Sequence, residues 1–269
     1  MINILSWNIL ADEYVAPAAE NYPNTNIALL DRSARIERVL ATLRDYSDCE
    51  LILLQEVMPE EADSISTLLA DHIVVRGPPI SWYGSVGKSG NLTAVRRDVG
   101  RVVIEHDDVC DFCTDGAMFF TTIVIRNRLL SVVNTHLDDG DDDDVRRVQM
   151  KTILMSNPDI IGGDFNQDWR PQERCGNGSV DIYETLFAAG YVLQNVKPTY
   201  FFQSPPACID QIATRMFDVV SQGTDAFVHS HDCANFCDVS ANNILYTVGS
   251  DHLPVHATLR HREQFQQVL

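Results

Sequence analysis

Ile160 to Asn166 reads Ile-Ile-Gly-Gly-Asp-Phe-Asn, an apolar run that meets two glycines and then presents Asp164 and Asn166. The run suits a strand covered on both faces, with glycines where a turning backbone would leave no room for a side chain. A carboxylate and an amide at such a tip can hold a water, a cation or a phosphate oxygen. Comparable tips recur along the chain: Asn8 inside Asn3 to Leu10, Glu56 near the end of Glu50 to Val57, and His136 near the end of Leu129 to Leu137. Asp210 stands just inside Ile209 to Thr214, and Asp251 and His252 stand ahead of the strand His256 to Leu259. Taken singly, each has a bland reading: turn formers at Asp164 and Asn166, a loop-bonded amide at Asn8, a cap or salt bridge at Glu56, a satisfied imidazole at His136, a loop ion pair at Asp251 and His252. Their joint recurrence is what points to base and metal chemistry.

These tips need strands, and the strands need cover. Asp31 caps a helix in which Ile36, Val39, Leu40 and Leu43 recur at helical spacing while Arg32, Arg35, Arg38 and Arg44 project elsewhere. Ala11 to Leu30 has loop composition, with Pro17 and Pro23. Pro59 to Ala70 fits a second helix with Ile65, Leu68 and Leu69 inward. From Ile73 to Arg128 short strands and turns predominate, including Leu92 to Arg96, Arg101 to Glu105 and Met118 to Ile125, which predicts mainly antiparallel pairing. Asp138 to Asp144 reads as a solvated acidic loop that caps a helix over Val145 to Met155, and Asp181 to Ala189 as a short helix stopped at Gly190. Phe217 to Val220 and Ile244 to Val248 read as further strand-like pieces.

At 269 residues, 45% hydrophobic and 22% charged, the chain suits one soluble domain spanning residues 1–269. No apolar run approaches the roughly 20 residues of a membrane helix. The start Met-Ile-Asn-Ile-Leu has no secretory pattern, and seven scattered cysteines favour reduced thiols, so the expected setting is intracellular, cytoplasmic or nuclear. The net charge of −18, from 38 acidic and 20 basic residues, is opposite to the basic footprint of a protein that grips long duplexes. A bound divalent cation would reconcile that charge with an anionic substrate.

Six segments then carry a resemblance: Ser6 to Asp12 (Ser-Trp-Asn-Ile-Leu-Ala-Asp), Leu53 to Val57 (Leu-Leu-Gln-Glu-Val), Asn134 to Leu137 (Asn-Thr-His-Leu), Gly162 to Asn166 (Gly-Gly-Asp-Phe-Asn), Ile209 to Ile212 (Ile-Asp-Gln-Ile) and Ser250 to Val255 (Ser-Asp-His-Leu-Pro-Val). In this order they resemble the endonuclease/exonuclease/phosphatase superfamily, which includes deoxyribonuclease I-like enzymes. The resemblance implies a four-layer α/β sandwich, with two mixed, mainly antiparallel sheets face to face and helices outside. It implies a metal-dependent phosphodiesterase that uses Mg²⁺, with Mn²⁺ as a substitute.

On that reading Glu56 is the cation's carboxylate and Asn8 and Asp251 complete or tune the shell. His252 binds the scissile phosphate, Asp210 orients the imidazole and favours its charged form, Asp164 activates water, Asn166 helps to position that water or the phosphate, and His136 donates to a non-bridging oxygen. Asn8 followed by Leu10, Ala11 and Asp12 looks most like the start of the deadenylase and nocturnin branch, which favours a 3′-5′ exoribonuclease on single-stranded nucleic acid or a nucleotide. A tyrosyl-DNA phosphodiesterase-like enzyme, a phosphatase on a small phosphorylated molecule and a catalytically dead phosphate-binding module are the alternatives. Trp82, Tyr83, Trp169, Tyr200 and Phe201 are rings that could stack on bases. Separately, Cys110 and Cys113 with Cys233 and Cys237, beside His229 and His231, have the residue types of a structural Zn²⁺ site.

Overall fold

The computed structural model describes residues 1–15, 26–82, 85–105, 117–140, 142–168, 182–193, 198–200, 207–224 and 241–262. Ile2–Asn8 forms β1 and Leu51–Val57 forms β2, parallel neighbours with Ile4 opposite Leu51 and Asn8 opposite Gln55. Parallel pairing requires a crossover. The helix α1, Arg32–Asp45, provides it, with the Asp31 carboxylate accepting from the Ala34 N–H as its cap. Pro59–Leu68 forms α2, His72–Trp82 β3 and Ser85–Arg96 β4. Phe217–Gly223 (β10), Ala241–Val248 (α5) and Val255–His261 (β11) complete the first half, whose sheet runs β10-β11-β1-β2-β4-β3.

The second sheet runs β5-β6-β7-β8-β9, built from Gly100–Glu105, Ala117–Ile125, Arg128–His136, Ile160–Asp164 and Asp210–Thr214. Its parallel pair, β7 and β8, is bridged by α3, Asp143–Met155, and Ile182–Ala188 forms α4. Each sheet thus has one parallel pair among antiparallel neighbours. Alternation along β2 explains the layering: Leu51 and Leu53 enter a core between the sheets with Val132, Ile160 and Ile212, while Ile52 and Leu54 pack outward on Val39, Leu43, Ile65 and Ile244. Val133, Ile161 and Ala213 meet Met150, Ile153, Tyr183 and Leu186 on the opposite outside. The layers are helix, sheet, sheet, helix. Among the described residues no helix is long and apolar enough to cross a membrane.

Four expectations change. Ile244 to Val248 is helical: Ile244, Leu245 and Val248 are buried and Tyr246 exposed, a spacing of one face of a helix that a short apolar run disguises. Arg35 does not project outward but is fully buried, because its guanidinium donates to the Ile9 carbonyl at 2.9 Å and the Gly249 carbonyl at 3.3 Å. Residues 12–15, inside the expected loop, make a helical turn, and a 3-10 helix covers Ile27–Leu30. Asp138 in the acidic loop is buried, with its carbonyl accepting from Arg146, while Asp142 caps α3.

The double glycine also does something other than turn. Strand β8 runs straight through it to Asp164. A Cβ on Gly163, whose φ is +154°, would lie 1.8 Å from the Thr135 carbonyl oxygen, and one on Gly162 would lie 2.5 Å from a Leu53 methyl of the facing sheet. The pair of glycines lets β8 press against both neighbours.

Candidate active site

Register places the groups of the second sheet in a row. His136 on β7 is opposite Asp164 on β8, and Asp164 is opposite Asp210 on β9. Asn8 at the end of β1 and Glu56 near the end of β2 face them from the first sheet, and the segment before β11 adds Ser250, Asp251 and His252. All seven predicted site residues other than Asn166 are buried. The site lies where both parallel pairs end together.

One chain of contacts joins the two sheets. Glu56 Oε1 accepts from Asn8 Nδ2 at 2.8 Å, the same amide nitrogen donates to Asp164 Oδ2 at 3.1 Å, and Glu56 Oε2 accepts from the Ala11 N–H at 2.8 Å. His136 Nε2 stands 3.8 Å from Glu56 and 3.7 Å from Asp164. On the far side His252 Nδ1 bonds Asp210 Oδ2 at 2.9 Å, and its Nε2 lies 3.6 Å from Asp164 Oδ2 and 3.9 Å from Asp251 Oδ1. Because a carboxylate only accepts, Nδ1 carries the proton. Burial alone would lower the His252 pKa, but Asp210, Asp251 and Asp164 outweigh it and raise it well above 6.5. Burial raises Glu56 above the usual carboxylate range, with Asp251 adding to the shift and His136 opposing it.

Asn166 departs from its expected aim. Its Nδ2 donates to the Leu137 carbonyl at 2.8 Å, and its N–H donates to Asp164 Oδ1 at 2.9 Å, in a left-handed backbone with φ +48°. The turn reading holds, and the turn's N–H fixes the Asp164 carboxylate.

Several contributors escaped the sequence reading. The Ser250 hydroxyl donates to the Asn8 carbonyl at 2.8 Å and accepts from the His252 N–H at 3.1 Å. Trp7 Nε1 donates to the His252 carbonyl at 2.9 Å. Ser250 and Trp7 lie inside two of the segments that carry the family resemblance, but neither was given a role there. Tyr200, named as a ring that could stack on a base, lies against His252, ring centres 4.8 Å apart. The side chains of Trp82, Tyr83, Trp169 and Phe201, and Cys110, Cys113, Cys233 and Cys237 with His229 and His231, lie outside the described residues. Cys49 and Cys208 are buried and not joined in a disulfide.

The donor set fits a hard divalent cation. Four buried carboxylates, Glu56, Asp164, Asp210 and Asp251, face two imidazoles, an excess of negative charge that burial penalises. The tightest trio, Asp164, Asp210 and His252, has ligand atoms within 4.8 Å of one another. Within that trio His252 Nδ1 is already bonded to Asp210, while Glu56, Asn8 and Asp251 carry the oxygen atoms that a hard cation takes.

The fold is thus a four-layer sandwich with acids and imidazoles gathered at one edge of both sheets. The family model for the endonuclease/exonuclease/phosphatase family matches residues 5–252, and the chain belongs to that family. Solved structures of similar fold include ANGEL2, a 2′,3′-cyclic phosphatase in complex with adenosine-2′,3′-vanadate, at TM-score 0.68 and 14% identity over 97% of this chain and 95% of that one. The human Nocturnin catalytic domain with bound sulfate matches at TM-score 0.67 and 16% identity over 97% and 93%. TDP2 from D. rerio with a single-strand DNA product matches at TM-score 0.62 and 14% identity over 96% and 98%. No curated protein sequence gives a significant match.

Proposed function

We propose that the protein is a Mg²⁺-dependent phosphodiesterase that removes nucleotides from the 3′ end of single-stranded RNA. The observation that carries the hydrolytic part is the buried chain Glu56–Asn8–Asp164 set beside the Asp210–His252 pair. Glu56, Asn8 and Asp251 would hold the cation, which supplies charge neutralisation at the phosphate. Asp164, held by Asn8 and the Asn166 N–H, takes a proton from water as its oxygen bonds to phosphorus. The bond from phosphorus to the leaving oxygen then breaks in line, and that oxygen keeps the electron pair and takes a proton from solvent. His252, kept charged by Asp210, donates to a phosphate oxygen, and His136 donates to a second one.

The choice of RNA rests on the resemblance of Asn8, Leu10, Ala11 and Asp12 to the start of the deadenylase and nocturnin branch; in the fold the Ala11 N–H donates to the Glu56 carboxylate and Leu10 is left-handed at φ +61°. Nocturnin and ANGEL2 among the similar folds, the second holding an adenosine analogue, are consistent with a nucleotide-binding edge. The test is a panel of oligo(A), a 5′-phosphotyrosyl oligonucleotide and an inositol phosphate, each with Mg²⁺, with Mn²⁺ and with chelator. Cation-dependent release of nucleotides from oligo(A) alone supports the reading. Cleavage confined to the phosphotyrosyl or inositol substrate overturns the RNA assignment, and no cleavage of any of them overturns the enzyme.

A further inference from the structure

Beneath the site lies a layer of amides that the proposed chemistry does not use. Gln55 Nε2 donates to Asn134 Oδ1 at 2.7 Å. Asn134 Nδ2 donates to the Leu54 and Leu92 carbonyls, each at 3.0 Å, and the Asn134 carbonyl accepts from Asn91 Nδ2 at 2.9 Å. Gln55, Asn91 and Asn134 are all within 2% of complete burial. They join β2 and β4 of one sheet to β7 of the other, one residue before Glu56 and two before His136.

The same place in β2 is irregular. Leu54 pairs with Leu92 but Val57 pairs with Gly90, so Gln55 and Glu56 together oppose Asn91 in a β-bulge. Glu56 takes φ +59°, a left-handed conformation costly for a residue with a side chain. The bulge changes which way Glu56 points. Regular alternation from Ile52 and Leu54 would aim Glu56 at the outer helices, yet Val57 occupies that outer core and Glu56 reaches the sheet edge. Something must hold a strained bulge in place, and Asn134 touches it from the facing sheet, accepting from Gln55 inside the bulge and from Asn91 opposite it.

We propose that Gln55, Asn134 and Asn91 form an inter-sheet amide latch that fixes the β2 bulge and thereby aims Glu56 at the cation. They are positioning residues, acting through the backbone of β2. The inference rests on the cation reading of Glu56.

The test is Mn²⁺ affinity by paramagnetic resonance titration in wild type and Gln55→Met, which keeps length and loses the bond to Asn134. Circular dichroism and a melt verify the fold, and oligo(A) turnover is measured at saturating metal. The expected result is a loss of Mn²⁺ affinity of about tenfold, the scale found for groups that orient metal ligands. Turnover at saturating metal returns to within a few-fold of wild type. Folded Gln55→Met that binds Mn²⁺ within twofold of wild type overturns the latch while leaving the cation reading intact. Wild type that binds no Mn²⁺ overturns the cation reading and the latch with it. If Gln55→Met does not fold, Asn91→Ser, which removes only the bond to the Asn134 carbonyl, takes its place: at least threefold weaker binding supports the latch and unchanged binding overturns it.

Discussion

At the scale of single residues, Asp164 carries the sharpest expectation. Both its oxygens are engaged by neighbours that orient it, so Asp164→Asn preserves shape while removing the base. Turnover should fall by at least about 100-fold, in the range of general-base contributions, with a near-normal melting temperature. Near-normal turnover would reassign the base. His72 gives a second prediction, in stability. Its Nε2–H donates to the Cys49 carbonyl at 2.9 Å, and burial depresses its pKa below 6.5. Below about pH 6.5 the unfolded chain then binds a proton that the folded one refuses until lower pH. Stability from this site is complete above that value and is lost as pH falls through it. Urea melts across that range should show a shallower pH slope for His72→Gln than for wild type; equal slopes would remove His72 as the cause. The residue types of the site were legible because charged and amide groups inside apolar runs have few structural excuses. Asn166 shows the boundary: its spacing from Asp164 marked the site, but only the fold shows that its amide faces Leu137.

At the scale of elements, strands were read more securely than the segments between them, since alternation and apolar runs are local while the use of a connecting segment is not. Arg35 is the clearest case. It falls on the same helical stripe as Val39 and Thr42, yet arginine on a helix is ordinarily solvated, and nothing local says that the Ile9 and Gly249 carbonyls await it. Those carbonyls flank Asn8 and Ser250. Arg35→Met should leave them unsatisfied and cost about 3 kcal/mol, measured by chemical denaturation; a loss under about 0.5 kcal/mol would mean that water replaces the guanidinium. The α5 error has the same origin, because a five-residue apolar run fits either period until its burial is known.

At the scale of the whole molecule, the net charge of −18 and the four buried carboxylates place the chain under self-repulsion that the proposed cation would relieve. Mg²⁺ at about 100 times its dissociation constant should add about 2.7 kcal/mol of stability, seen as a rise in melting temperature over chelator-treated protein. A melt indifferent to Mg²⁺ would argue against a site formed in the folded state.

The pairing of β1 with β11, Ile2 against Leu259 and Ser6 against Val255, has a consequence for the order of assembly. Chains emerge from the ribosome at about 5–20 residues per second and fold in units as they do. Here the earliest strand gains its second neighbour only when one of the last is made, and Trp7 waits equally long for the His252 carbonyl. The second sheet, whose strands lie between Gly100 and Thr214, has all its partners sooner. During synthesis the edge of β1 that β11 covers stays open until Val255–His261 is made, and the site, which needs Asp251 and His252, can close only after all strands of the other sheet have been made.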